Sequence, residues 1–362
     1  MQPLKPAAYF FVDNRCLLPC IPLNMSHLLE FRPEGMYCAA ADVYIDPWRK
    51  VHKALITHAH ADHARWGQRH YIAQEHNEHV MRARLGKDIS LQTVAYGEAL
   101  HINGVRFSWH PAGHIPGSAQ IRVEHKGEVW VASGDYKVEN DGLSPAFEPI
   151  ACHTFITECT FGMPIYRWEP QALRFEEINQ WWTEAAATGK NCVLFGYSLG
   201  KAQRLLSGLN PSIGPIFVHP SIAQMNDALA AVGFQLPATL PLSSYNRSVH
   251  GTGAMVLAPP GAAEGSWQKK LEPYTDATAS GWVQVRGNRR RQSLDRGFVI
   301  SDHADYPGLL QAISATGAEK VICTHGFTAL FSRQLREMGI AAQEERTLFM
   351  GEGGADAQEE EA

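Results

Sequence analysis

Residues 57–63, Thr-His-Ala-His-Ala-Asp-His, contain four possible metal ligands within six positions. An apolar run at 54–56 precedes them, so we predict a buried strand with the ligands on the loop at its carboxyl end. Imidazole and carboxylate groups suit Zn²⁺ or Mn²⁺, and the absence of nearby cysteine favours a catalytic over a structural site. His58 and His60 can converge on one ion, while Asp62 and His63 can face a second. The alternative is a solvated histidine-rich loop, which the preceding strand and the internal carboxylate disfavour.

Two further side chains that suit a metal site follow later hydrophobic stretches. His114 lies in the glycine-containing segment 111–118, where a tight loop can direct one imidazole inward. Asp135 comes just after the buried strand predicted at 129–132, a good position for a carboxylate that bridges two ions. Either residue alone could be an ordinary turn residue. The order His-x-His-x-Asp-His, then His, then Asp is far more specific.

Four more polar residues lie at or just beyond the ends of predicted strands. Asp46 closes an apolar run, and we predict that it orients one of the histidine ligands; a turn-forming aspartate before proline is the alternative. Glu158 lies at the end of the strand predicted from residue 155. His325 ends the strand predicted from residue 321, and the predicted loop at 301–305 carries His303.

The length and composition limit the classes to which this protein can belong. A chain of 362 residues with 45% apolar and 19% charged residues favours two globular units. No apolar run approaches the length of a membrane span. Prolines and charges interrupt the first 20 residues, a pattern unlike that of a secretory signal. Seven scattered cysteines, an odd number, favour a reducing cytosol, so we predict a cytoplasmic protein.

The net charge of −5 does not exclude an anionic substrate. The acidic excess is concentrated in the tail at 351–362, which we predict to be disordered. The one dense basic block lies at 286–291. We predict that its side chains bind the phosphates of the substrate, a solvated surface loop being the alternative; these residues are Arg289, Arg290 and Arg291.

The segment 196–201 is similar to a nucleotide-binding phosphate loop but does not match it. It is one residue short and lacks the Ser or Thr that binds Mg²⁺, so we reject ATP binding. A helix is predicted to begin at Lys201. We predict that a phosphate of the substrate backbone binds at this helix N-terminus, near Lys201.

The predicted elements change character along the chain. Strands are predicted at 28–32 and 36–45, followed by four short strands between 99 and 132. Beyond residue 160, helices alternate with short apolar strands, the last of them predicted at 282–285. Alternation of this kind predicts a small parallel sheet flanked by helices, and hence a second domain. After the basic block the first domain resumes, with strands before His303 and His325 and helices after them.

The metal motif at 57–63 resembles the signature of the metallo-β-lactamase fold. Segments 157–162, 301–305 and 324–326 resemble the three additional motifs of the β-CASP nucleases, enzymes of that fold with a cap domain inserted between the first and second of these motifs. The resemblance implies an α/β protein, with an αββα sandwich formed by residues 1–159 and 297–350 and a cap at 160–296. Several stretches, including 46–48 and 302–307, look most like the bacterial ligase-associated DNA exonucleases.

The same resemblance implies a site for two divalent ions, Zn²⁺ or Mn²⁺, with Asp135 bridging them. The first ion would be held by His58, His60, His114 and Asp135. The second would be held by Asp62, His63, Asp135 and His325. We interpret Asp302 and Asp305, beside His303, as residues that shape the loop rather than as ligands.

The implied reaction is hydrolysis of a nucleic-acid phosphodiester. Two ions about 3.5–4 Å apart can activate water for in-line attack and neutralise charge on the phosphoryl oxygens. We predict His303 as the general acid, with Glu158 holding its imidazole; a helix-capping or buried structural histidine is the alternative. The predicted catalytic residues are therefore His303, Glu158, Asp62 and Asp135.

We predict a DNA exonuclease that acts in repair on single-stranded DNA in the cleft between the domains. The resemblance implies functional association with a DNA ligase and a helicase, and no membrane association is expected. A ribonuclease of the same architecture is the alternative, because the presence of a histidine at position 325 resembles the motif of the RNA-processing branch of the family. A small-molecule hydrolase is a third possibility, which the cap domain and the arginine block disfavour.

Overall fold

The computed structural model describes residues 27–263, 265–285 and 294–348. The predictions for the arginine block and for the acidic tail concern residues outside these ranges. Within the described ranges every helix is too short or too polar to cross a lipid bilayer. The described cysteines are buried and form no disulfide with one another; they are Cys38, Cys152, Cys159, Cys192 and Cys323.

Short strands dominate the described part of the chain. In chain order they are β1 (Glu30–Arg32), β2 (Gly35–Cys38), β3 (Val43–Ile45), β4 (Ala54–Ile56), β5 (Tyr71–Gln74), β6 (Leu91–Val94), β7 (Ala99–Ile102), β8 (Val105–Pro111), β9 (Ala119–His125), β10 (Glu128–Ala132), β11 (Thr154–Cys159), β12 (Asn191–Phe195), β13 (Ile216–Val218), β14 (Leu240–Pro241), β15 (Met255–Ala258), β16 (Tyr274–Ala279), β17 (Arg296–Phe298), β18 (Lys320–Gly326) and β19 (Ala341–Glu344).

Helices connect many of these strands. They are α1 (Glu78–Leu85), α2 (Gln171–Ala187), α3 (Lys201–Gly208), α4 (Pro220–Ala230), α5 (Arg247–His250), α6 (Tyr306–Thr316) and α7 (Thr328–Glu337). Short 3₁₀ helices cover Glu75–Asn77, Leu242–Ser244, Pro260–Ala262, Ser266–Leu271 and Gly281–Gln284. The start of α6 shows how the sequence sets these bounds: Asp305 caps its first turn by accepting from the Gly308 N–H at 2.9 Å, and Pro307 lies within that turn.

Two sheets packed face to face form the first domain. The first has the order β1-β2-β3-β4-β5-β6, and the second has the order β19-β18-β11-β10-β9-β8-β7. Their inner faces share one hydrophobic core, in which Leu55 and Ile72 of the first sheet pack with Trp109 and Ile121 of the second. Helix α1 covers the outer face of the first sheet, and α6 and α7 cover that of the second. This arrangement is the predicted αββα sandwich.

The cap is a separate six-stranded sheet with the order β14-β13-β15-β12-β16-β17. All its strand pairs are parallel, as predicted from the strand–helix alternation. Strand β17 belongs to this sheet, and Ile300 packs in the cap core, so the cap extends beyond the predicted boundary at residue 296. The predicted strand at 282–285 is wrong, because a 3₁₀ helix occupies Gly281–Gln284 and β16 forms the neighbouring strand instead.

Candidate metal centre

The first metal-binding group comes from three loops, one after a strand of the first sheet and two after strands of the second. His58 and His60 follow β4, His114 follows β8, and Asp135 follows β10. One potential ligand atom from each side chain lies within 4.8 Å of the others. His60 Nδ1 is 3.1 Å from His114 Nε2, and His58 Nε2 is 3.6 Å from Asp135 Oδ2. The structure thus brings together the four residues predicted for the first ion.

These four side chains fit a divalent cation such as Zn²⁺. Ligand atoms bound tetrahedrally at about 2.0–2.1 Å lie about 3.3 Å from one another, close to the separations observed here. His58 Nε2 is buried and has no hydrogen-bond partner among the described residues. A buried polar atom without a partner is costly, and a bound cation would satisfy it.

The second nitrogen of each imidazole in this group has its own oxygen partner. Contacts of this kind fix the ring orientation and the tautomer, and so present the other nitrogen to a metal ion. The partners are the Thr57 hydroxyl for His58 at 3.1 Å, the Leu199 carbonyl for His60 at 3.2 Å and the Asp302 carbonyl for His114 at 2.9 Å.

The second group shares Asp135 with the first. Asp135 Oδ1 lies 2.7 Å from His325 Nε2 and 3.5 Å from His63 Nε2. These three residues form a compact potential metal site. Asp62 lies at its edge, with Oδ2 3.8 Å from His63 Nε2. Asp135 is therefore the carboxylate common to both groups, which is the position predicted for a bridging ligand.

Asp46 lies behind the two groups and orients His63. Its Oδ2 accepts from His63 Nδ1 at 2.7 Å, and its Oδ1 accepts from the Thr57 N–H at 2.8 Å. The Thr57 hydroxyl donates to the same carboxylate and also contacts His58. One buried carboxylate thus holds His63 directly and His58 through Thr57. Asp46 occupies the place that the sequence predicted, whereas the role of Thr57 was not predicted.

Burial keeps two of the imidazoles neutral. It lowers the pKa of both His58 and His114 well below the ordinary value for histidine, and neighbouring imidazoles lower both further. A neutral imidazole is the form that donates a lone pair to a metal ion. The direction of both pKa shifts favours the neutral form that a metal site requires.

Carboxylates have the opposite effect on His63. Burial alone would lower the pKa of His63, but Asp135, Asp62 and Asp46 together raise it well above its ordinary value. Burial alone would raise the pKa of Asp135, but His325 and His63 help to hold it well below its ordinary value. Asp135 is therefore an anion surrounded by nitrogen donors, and a divalent cation can take the place of the proton on His63.

His303 and Glu158 form a pair beside the metal groups. His303 Nδ1 lies 2.8 Å from each carboxylate oxygen of Glu158, and its Nε2 lies 3.9 Å from Asp135 Oδ2. Backbone N–H groups of Tyr136 and Thr160 donate to Glu158 at 2.9 and 3.3 Å. Asp135, Glu158 and His303 are close enough to form a third potential metal group. The direct contact of Nδ1 with both oxygens leaves no room for an ion, so we interpret the pair as a proton-transfer pair.

Buried ion pairs join cap helix α3 to the back of the metal centre. Lys201 Nζ is 3.0 Å from Asp302 Oδ2, and an Arg204 nitrogen is 3.0 Å from Asp302 Oδ1. Arg204 also pairs with Asp141, and each of these four side chains is at most 3% exposed. Burial alone would raise the pKa of Asp302, but the two cations hold it well below its ordinary value.

The prediction that Lys201 binds a substrate phosphate is therefore wrong. Its side chain is completely buried, and its ammonium also donates to the Ile300 carbonyl at 3.2 Å. A substrate has no access to it. Its charge instead holds the loop that carries His303 against the cap, and Asp302 shapes that loop as interpreted from the sequence.

We expect Asp302→Asn to destabilise the protein by about 3–5 kcal/mol, because it removes the carboxylate shared by two buried cations. Denaturant unfolding measures this change. Asp305→Asn is the matched control in the same loop. We expect Asp305→Asn to lower the free energy of unfolding by only about 1 kcal/mol. Asparagine also caps helices, but it has one side-chain acceptor oxygen and would leave either the Gly308 or the Trp168 N–H without its partner. Equal losses in the two variants would contradict the assigned role of Asp302.

Two contacts from the cap to metal ligands were missed in the sequence. The Leu199 carbonyl contacts His60, and Arg204 donates to the His114 carbonyl at 3.2 Å. A main-chain carbonyl leaves no trace in residue type. The signal in the sequence that could have indicated this contact is Gly200. It has φ of 83°, and a Cβ there would lie 2.1 Å from Ile115, so only glycine permits the close approach of the cap.

Comparison with solved structures supports the fold. A crystal structure of a protein of unknown function from Enterococcus faecalis matches with a TM-score of 0.53 and 10% identity, over 82% of this chain and 79% of that one. No family model matches the sequence. Endoribonuclease YSH1 of Saccharomyces cerevisiae is 30% identical over 118 residues, covering 32% of this chain and 15% of that protein. Cleavage and polyadenylation specificity factor 73 of Drosophila melanogaster is 27% identical over 204 residues, covering 52% of this chain and 29% of that protein.

With the fold and motifs, these similarities support a relationship of this chain to the β-CASP nucleases of the metallo-β-lactamase superfamily. A longer match is to a probable DNA ligase of Opitutus terrae. It is 31% identical over 312 residues, covering 85% of this chain and 30% of that protein. The chain spans less than a third of the length of each of these three relatives.

Proposed function

We propose that this protein is a metal-dependent exonuclease that shortens DNA strands during repair. The observation that carries the proposal is the pair of metal-binding groups that share Asp135, with the His303–Glu158 pair beside them. A phosphodiester needs charge neutralisation, an activated water and a proton for the leaving oxygen. The described residues of this one cluster can neutralise charge through bound metal ions, position water and donate a proton.

The residues in and around this cluster have separate tasks in this proposal. Two divalent ions, Zn²⁺ or Mn²⁺, would activate water and neutralise charge on the phosphoryl oxygens. Asp135 and the histidines would hold these ions, and Asp46 and Leu199 would keep two of the imidazoles in position. Arg289, Arg290 and Arg291, outside the described residues, would bind phosphates of the strand.

His303 would protonate the leaving 3′-oxygen. Its Nδ1 faces Glu158, so a proton held at Nε2 points toward the metal groups, where Asp135 lies 3.9 Å away. A carboxylate on one side of an imidazole stabilises its protonated form and fixes its orientation. This arrangement suits a general acid.

DNA is favoured over RNA by the extent of the match to the probable DNA ligase, which covers 85% of this chain. A nuclease that works beside a ligase would prepare strand ends for joining, and a helicase would expose single strands for it. RNA is the second candidate, because His325 completes the second metal group and the similar YSH1 protein is named an endoribonuclease.

The test is cleavage of end-labelled single-stranded DNA and RNA of one sequence, with Zn²⁺ and Mn²⁺ compared. We expect stepwise shortening of linear DNA, and no cleavage of a circular single strand, which has no end. Cleavage of RNA alone would instead support a ribonuclease. Hydrolysis of a lactam or thioester without cleavage of either nucleic acid would overturn the proposal in favour of a small-molecule hydrolase.

A further inference from the structure

An exposed tryptophan lies on the loop just beyond the metal ligands. Trp66 is 66% exposed and is the one aromatic residue among the exposed large hydrophobic side chains of the described chain. The ammonium of Lys50 lies 4.7 Å from the centre of its ring. A large aromatic face left in water beside a cation is a common feature of surfaces that stack nucleic-acid bases.

The two loops that carry Lys50 and Trp66 contain several cations that pair with no carboxylate of the described residues. The only acidic residue in the segment 47–70 is Asp62, which is buried at the metal centre. None of the cations in this segment is within salt-bridge distance of a carboxylate among the residues that the structure describes, although carboxylates elsewhere pair with Arg82, Arg106 and Arg122. These residues with Trp66, here called the Trp66 patch, are Arg49, Lys50, Lys53, Arg65, Trp66 and Arg69.

Hydrogen bonds hold the two loops of the patch together and link them to the metal loop. The Val51 N–H donates to Gln68 Oε1 at 2.7 Å, and the Arg69 N–H donates to the Val51 carbonyl at 3.1 Å. Arg65 Nε donates to the Asp62 carbonyl at 3.3 Å. The patch is therefore built before any ligand binds, and it adjoins the side of the metal centre that carries Asp62.

We propose that the Trp66 patch is a second binding surface for the polynucleotide, where one base stacks on Trp66 and flanking phosphates contact the cations. This inference rests on the proposed nuclease function and extends the substrate path beyond the cleft under the cap. Like charges gathered without carboxylate partners among the described residues repel one another, and an anionic strand relieves that repulsion. The exposed indole favours a polynucleotide over an acidic protein, because each base offers a face for stacking.

Binding of a labelled single strand in EDTA tests the patch without requiring cleavage. We expect Trp66→Ala to weaken binding about tenfold and Trp66→Phe to weaken it much less, because phenylalanine keeps an aromatic face. The triple variant Arg49→Ala, Lys50→Ala, Arg69→Ala should flatten the dependence of log K on log salt by about 0.7 per lost phosphate contact. Lys126→Ala is the control: Lys126 is exposed on the turn between β9 and β10, at the end of that sheet remote from the metals.

Two comparisons separate this inference from the nuclease proposal. In turnover, Trp66→Ala should lower kcat/KM for a long strand but leave that for a trinucleotide unchanged. Weaker binding of the strand by the Trp66 variant supports the patch even if no nucleic acid is cleaved. The inference is overturned if the protein cleaves nucleic acid and both patch variants keep the wild-type affinity, salt dependence and kcat/KM ratio. That ratio compares kcat/KM for the long strand with kcat/KM for the trinucleotide. It is also overturned if Trp66→Ala weakens poly-glutamate binding as much as strand binding.

Discussion

Replacing Asp135 with alanine is expected to remove both metal ions and to reduce cleavage by at least about 10³-fold, more than the 10–100-fold typical of residues that only orient a ligand. Asp135 is the one residue present in all three potential metal groups of the described chain. Without its carboxylate, neither His58 nor His325 retains an anionic neighbour for a shared cation. Metal content by mass spectrometry and initial cleavage rates measure the two losses.

Asp46→Asn is the graded control for this prediction. Asp46 contacts His63 Nδ1 but belongs to no metal group, so its replacement should reduce metal affinity or activity by about 10–100-fold and no more. Circular dichroism and unfolding curves would confirm that both variants fold. Wild-type cleavage by Asp135→Ala with its metals retained would refute the assigned centre.

Replacing His303 with alanine is expected to leave both metals in place and to lower turnover by about 10²–10⁴-fold, the usual contribution of a general acid. His303 contacts Glu158 through Nδ1 and lies outside the two groups assigned to the metals. The loss should be much smaller for an ester with a p-nitrophenolate leaving group, which departs without protonation. Glu158→Gln should show the same pattern in milder form.

The choice of leaving group separates catalysis from a structural role. A residue that merely supported the fold would affect both substrates equally, and its loss would also lower the metal content. Equal defects on the oligonucleotide and on the p-nitrophenyl ester would contradict the role of His303 as a general acid.

Local patterns predicted the elements that depend on local sequence. The metal loop follows its strand as predicted, because the apolar run at 54–56 is buried in the sheet and the polar residues after it lie on a loop. The strand predicted at 36–45 is instead two strands, since the chain turns through Asp42 with φ of 56°. Strand β16 was not predicted, because its threonines and aspartate give little apolar signal and pairing with β12 defines it.

In the site, too, local sequence predicted some features, whereas contacts between distant segments determined others. The histidines of the metal loop are neighbours in sequence, so their spacing alone indicates shared ligation. Lys201 was assigned to a phosphate because nothing local shows that folding brings Asp302 and Ile300 to its ammonium. The contact of Leu199 with His60 likewise depends on how the cap meets the first domain. Partners that come from distant segments can be found only in the fold.

The central claim is that one cluster of side chains would hold two cations and that Asp135 would be a ligand of both. Anomalous diffraction from crystals of the protein grown with Mn²⁺ tests it most directly. We predict two peaks, one among His58, His60, His114 and Asp135 and the other among His63, Asp135 and His325. A single peak, or peaks only outside this cluster of side chains, would contradict the account.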